Sequence, residues 1–121
     1  MMKILMIVNA PAYGSERMLS ALRLATALMT REREDQSIEM AIFMMSDAVT
    51  VGLPDQNPSD NRGSLQTMLD ELLGRGVQIR LCRTCALARG LASLPLIAGI
   101  EIATLADLAE FTLRADKVIT F

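Results

Sequence analysis

The segment Ile4-Leu5-Met6-Ile7-Val8 is unbroken apolar sequence that stops at Asn9-Ala10-Pro11. A run of this length bounded by turn formers reads as a strand buried on both faces, and such strands occur where helices cover a sheet from both sides. Lys3 ahead of the run and Ala10-Pro11-Ala12 behind it imitate a secretory signal. The run is shorter than the ~7–15 residues of a signal core, and Pro occupies the cleavage position, so a first strand is expected instead. No stretch approaches the ~18 consecutive apolar residues of a membrane span. The expected location is the cytoplasm.

The same kind of run recurs. Ile38 to Met45 reads as a second strand, followed by Ser46-Asp47-Ala48-Val49-Thr50 as the start of a short helix. Val77, Ile79 and Leu81 alternate with Gln78, Arg80 and Cys82, the pattern of a third strand with one more polar face. A short strand is expected around Gly99–Ile102, and Val118-Ile119-Thr120-Phe121 forms the last.

Helical patterns lie between these runs. Ser15 is an expected N-cap, with Glu16 near the positive end of the dipole, for a helix running to about Arg31. Met18, Leu22, Ala25 and Met29 make one stripe on it, and Ala21, Leu24 and Leu28 make an adjoining one. A surface helix needs a stripe only about 100° wide. The surplus calls for a second covering surface, from the same chain or from another subunit. Residues 52–63 form the one long loop. Ser64 caps a helix bearing Leu65, Met68, Leu69, Leu72 and Leu73, ended by Gly74 and Gly76. Thr104-x-x-Asp107 opens a helix to Ala115 with a capping-box-like start.

Strands alternating with helices imply an α/β fold with a parallel sheet joined by right-handed crossovers. At 121 residues the chain fits one domain, 1–121. Ligands and chemistry in such sheets sit at the carboxyl ends of the strands. That rule points to Asn9–Glu16, Ser46–Thr50 and Cys82–Arg89.

Composition narrows the chemistry. The chain contains no His, which removes Ser-His-Asp and Cys-His nucleophile pairs and His-ligated metals. Two Cys are too few for a four-thiolate metal site within one chain or for a disulfide framework. A net charge of −2 and 3% aromatic residues offer neither the basic stripe nor the stacking platform of a nucleic-acid binder. No cofactor is expected, since neither a dinucleotide glycine fingerprint nor a phosphate loop is present.

What remains is Leu81-Cys82-Arg83-Thr84-Cys85-Ala86-Leu87-Ala88-Arg89-Gly90. Residues three apart share one face of a helical turn, so the two sulfurs can approach each other. Arg80, Arg83, Arg89 and a helix starting here favour thiolate, the nucleophilic form. The same spacing also suits two small buried hydrophobes, or a zinc shared between subunits that pool four thiolates. Gly14 and Ser15, at the start of the first helix, are candidates to hold an anion on backbone amides, against the plainer reading of an ordinary cap.

Segments spread over nearly the whole chain carry a resemblance. They are Ala12-Tyr13-Gly14-Ser15-Glu16, Leu22-Arg23-Leu24-Ala25, Phe43-Met44-Met45-Ser46-Asp47-Ala48-Val49, Leu81-Cys82-x-Thr84-Cys85 with Arg89-Gly90, Leu94-Pro95-Leu96-Ile97, and Ala115-Asp116-Lys117-Val118 before Phe121. Together they resemble the DsrE/DsrF-like sulfur relay family, in its YchN-like branch. The resemblance implies a three-layer α/β/α sandwich with a parallel sheet of about five strands. It also implies a homo-oligomer, trimer or hexamer, and protein partners that donate and accept sulfur. Relay members of that family carry persulfide sulfur on a cysteine seven residues before an Arg-Gly pair, a position held here by Cys82. The resemblance leaves Cys85 as a resolving thiol, with Arg83 or Arg89 lowering the thiol pKa and Ser15 or nearby amides steadying the persulfide.

Three activities follow as expectations: a sulfur carrier, a Cys82–Cys85 thiol–disulfide switch, and an oligomeric binding module whose cysteines are only packed. Exchange at sulfur needs no general base of the His type, so the first is compatible with the composition.

Overall fold

The computed structural model describes residues 1–31, 36–58 and 64–121. The elements are β1 (Met2–Val8), α1 (Arg17–Met29), β2 (Ile38–Met44), a 3-10 helix (Ser46–Gly52), α2 (Leu65–Gly74), β3 (Gln78–Cys82), α3 (Arg83–Ala88), β4 (Glu101–Ala103), α4 (Leu105–Arg114) and β5 (Lys117–Thr120). The strands form one sheet in the order β4-β3-β2-β1-β5, every neighbouring pair parallel. The α/β fold and five-stranded parallel sheet expected from the sequence are therefore present.

β1 lies between β2 and β5, and its Ile4, Leu5, Met6 and Val8 are all buried, as an unbroken apolar run requires. Right-handed crossovers that step β1 to β2 to β3 place α1 and α2 on one face. The return from β4 to β5 runs the other way and brings α4 to the opposite face, where Phe111 meets Phe43 of β2 edge-on with ring centroids 6.5 Å apart.

Local sequence explains most boundaries. The Ser64 side chain accepts from the Gln66 amide at 3.0 Å and caps α2, and Tyr13 Oη accepts from the Leu65 amide, tying the loop after β1 to the same helix end. Gly76 at φ +87° reverses the chain into β3. Thr104 and Asp107 form a full capping box at α4, and the Thr104 amide and hydroxyl hold the Asp107 carboxyl below its ordinary range.

Several expectations are corrected. α1 begins at Arg17 with Glu16 as its N-cap, and no side chain caps it. Ser15 sits one residue too early, and its Oγ accepts from the Arg17 amide at 3.3 Å. The helix stops at Met29, and residues 32–35 of the charged stretch lie outside the described residues. The short helix after β2 is a 3-10 helix that reaches Gly52, so the long loop starts at 53, with 59–63 outside the described residues. The fourth strand is Glu101–Ala103, slightly later than Gly99–Ile102, because Gly99 takes φ +97° in the turn before it.

The wide apolar arc of α1 is covered by its own chain. Met18, Ala21, Leu22, Ala25 and Met29 are buried, and Leu24 and Leu28 pack against the same core. Exposed apolar side chains lie elsewhere: Leu87 on α3, Leu94 after it, Leu105 and Leu113 on α4, and Val118 on β5. The 3-10 helix packs tightly on β3: a Cβ at Gly52 would stand 2.6 Å from Leu81 Cδ1.

Candidate functional site

All five strands point their carboxyl ends the same way, and β2 and β3, as neighbours, bring Ser46-Asp47 and Cys82 together. Cys82 is the last residue of β3 and the N-cap of α3, with φ −59° and ψ 122°. It is 3% exposed. Cys85 follows on the first turn of α3 and is half-buried. Both cysteines are free thiols.

The electrostatics at Cys82 are a balance. Burial disfavours the thiolate and is the largest influence; the Cys85 amide pulls the other way by hydrogen bonding to the sulfur. The neighbouring Cys85 sulfur, in hydrogen-bonding and charge contact, again favours the protonated form, and the Thr84 amide lowers it slightly. The net result is a thiol pKa above its ordinary value.

Cys85 has its own support from across the β2–β3 junction. Its Sγ accepts a hydrogen bond from the Ser46 amide at 3.2 Å. Ser46 takes φ +51°, a left-handed backbone that is uncommon for a non-glycine residue and that re-aims the chain as it leaves β2. Next to it, Asp47 Oδ1 accepts from Arg89 Nε at 2.8 Å, and Arg89 Nη1 donates to the Cys85 carbonyl at 3.2 Å. Arg89 therefore clamps the 3-10 helix to α3. Its charge is met by a carboxylate, and Cys82 owes its shift to burial, the two amides and the neighbouring thiol.

Arg83 opens α3 and is exposed. It edges a shallow depression shared with Leu87, Gly90, Ala92, Ser93 and Ile102. Gly14 and Ser15 follow β1, which is separated from β3 by β2, a span of roughly two strand spacings or ~10 Å. Among the described residues no hydrogen bond joins either to a cysteine. A separate cavity of about 190 Å³ lies at the amino ends of the strands, lined by residues including Lys3, Glu39, Gln78 and Phe111, and is remote from both sulfurs. Among the described residues no three His, Cys, Asp or Glu side chains gather as a metal site. No described helix is long and apolar enough to cross a membrane.

The structure thus unites Cys82, Cys85 and Arg89 and adds Ser46 and Asp47, which the sequence reading placed only as a carboxyl-end segment. The signal for Asp47 is its position directly after β2; its partner, 42 residues away, is visible only in three dimensions.

Comparison with known proteins agrees with this geometry. Protein YchN of Escherichia coli strain K12 is 48% identical over 121 residues, with all of both chains covered. A crystal structure of the ychN protein from E. coli matches with a TM-score of 0.92 at 46% identity, again over the whole of both chains. A protein named Sulfurtransferase TusD, from Cronobacter sakazakii, is 30% identical over 135 aligned residues, covering 99% of this chain and all of that one. The profile of the DsrE/DsrF-like family matches residues 2–121, and the chain belongs to that family.

Proposed function

We propose that this protein is a sulfur carrier that holds persulfide sulfur on Cys82 and works as a cytoplasmic homo-oligomer. The observation that carries the reading is a cysteine at the carboxyl end of a central strand whose sulfur faces the amides of Thr84 and Cys85. Those amides suit an anionic sulfur. Membership of the family and the sulfurtransferase name of one relative support the same chemistry. In the reaction, the Cys82 sulfur bonds to the outer sulfur of a donor persulfide. The donor's S–S bond breaks and the donor leaves as thiolate. Arg83 lies on the exposed side, where it can meet an acidic partner surface, and Arg89 fixes the cysteine turn. Gly14 and Ser15 stand two strands away after β1, so an anion on their amides would sit apart from the thiols.

Incubation with a cysteine desulfurase and cysteine, followed by intact mass, tests the reading. A gain of one sulfur on the wild type, located after digestion on the peptide that carries Cys82, is expected. No gain on the wild type, or sulfur that never reaches the Cys82 peptide, ends it.

A second reading is a Cys82–Cys85 disulfide switch, favoured by two free thiols three residues apart at the N-cap and first turn of α3. Titration against a glutathione redox buffer decides it, and failure to form an intramolecular disulfide at any cytosolic poise removes it.

A further inference from the structure

The two thiols differ in access in the opposite sense to their assigned roles. Cys82, the carrier, is 3% exposed, whereas Cys85 is only half-buried. Exchange at sulfur requires the attacking atom to approach along the S–S axis, so access limits its rate. A donor's persulfide meets Cys85 before it meets Cys82.

Cys85 is also placed for the task. The Ser46 amide donates to its sulfur, and the Arg89 bridge between Asp47 and the Cys85 carbonyl holds that turn against the 3-10 helix. Cys85 stands on the first turn of the helix that Cys82 caps, three residues further on.

We infer that Cys85 is the receiving thiol of a two-step relay: sulfur is accepted on Cys85 and handed inward to Cys82. The inference rests on the carrier reading above and adds the order of events. In the first step the Cys85 sulfur bonds to the donor's outer sulfur. The bond between the donor's two sulfurs breaks, and the donor thiolate takes the proton that Cys85 gives up. In the second step the Cys82 sulfur bonds to the outer sulfur of the Cys85 persulfide. The Cys85 S–S bond breaks with its electron pair left on Cys85, which takes the Cys82 proton. Neither step involves net oxidation. The buried position then shields the carried sulfur from stray thiols, while the amides of Thr84 and Cys85 face it.

The sequence makes the order measurable. Arg80, Arg83 and Arg89 place the two cysteines on separate tryptic peptides, Leu81–Arg83 and Thr84–Arg89. The protein is mixed anaerobically with glutathione persulfide, quenched by alkylation at successive times, digested and analysed by mass. Sulfur is expected on the Cys85 peptide first and on the Cys82 peptide later. Cys85→Ser slows loading of Cys82 by roughly tenfold or more, because only the covered sulfur remains. Cys82→Ser still loads Cys85 at the wild-type rate and retains the sulfur there. Alkylation of the unmodified wild type, which needs no substitution, labels Cys85 before Cys82.

Loading of Cys82 at an unchanged rate in Cys85→Ser, or Cys82 labelled first in the wild type, overturns the relay and leaves the carrier reading standing. Release of sulfide with the two peptides joined by a disulfide also overturns it, since Cys82 then attacks the inner sulfur. No sulfur on either peptide of the wild type defeats both readings.

Discussion

Helix α1 buries Met18, Ala21, Leu22, Ala25 and Met29 but has no side-chain cap, whereas α4 carries a full capping box and buries only Leu108. The two helices serve opposite faces of one sheet and are held by different forces. α1 is held by packing against the sheet and α2; its ends are left to the backbone and solvent. α4 is started by local hydrogen bonds and leaves Leu105 and Leu113 in water. The contrast shows where the 51% hydrophobic content goes. α1 spends its apolar stripe within the chain, whereas α4 leaves Leu105 and Leu113 exposed.

Four substitutions or titrations break or sharpen that contrast. Leu22→Ala, at a site with no exposure, is expected to destabilise the fold by about 2–5 kcal/mol in denaturant unfolding, the cost of a core cavity. A near-neutral result means that α1 is not held by packing. Thr104→Ala removes the α4 cap and is expected to cost about 0.5–2 kcal/mol, read in the same experiment.

The cap also has a pH signature. The folded state holds the Asp107 carboxyl below its ordinary range, chiefly through the Thr104 amide. Its contribution is therefore complete above the unfolded pKa and is lost as the pH falls through the folded one. The stability gap between wild type and Asp107→Asn is expected to shrink on acidification, and a gap that widens contradicts this. Smallest of all, Leu113→Lys at an 82% exposed site is expected to change stability by no more than about 0.5 kcal/mol. Light scattering on the same variant tests the proposed homo-oligomer: a lower mass than wild type is expected, an unchanged mass removes α4 from the contact, and a 13.2 kDa wild type removes the oligomer.

The parts of the fold legible in the sequence were those fixed by nearest neighbours. The apolar run of β1, the Ser64 cap and the Thr104–Asp107 pair each depend on residues within a few positions of one another, and each is present. Ser15 was misplaced because its amide acceptor geometry suits a bend just before the helix as well as a cap, and the chain between Pro11 and Glu16 is all bends. The arc on α1 was visible, but an apolar stripe looks the same whether its cover is α2 or another subunit. At the candidate site, the Cys-x-x-Cys spacing and its place after β3 were readable. Its burial was not, because what covers Cys82 comes from parts of the chain that only folding brings together. The Asp47–Arg89 bridge and the Ser46 amide on Cys85 were hidden for the same reason: they span 42 and 39 residues.

Gly52 has a bearing on the thiols although it touches neither. It closes the 3-10 helix that begins at Ser46, and it faces Leu81, the residue immediately before Cys82. Its missing side chain is a clearance of less than one methyl group between two parts that must mate, and Leu81, fully enclosed, has little room to retreat. An alanine there would press on the Leu81 side chain, on the strand that carries Cys82. The packing beneath the thiols thus includes a clearance set by an inert residue at the far end of the turn, one that takes no part in the chemistry.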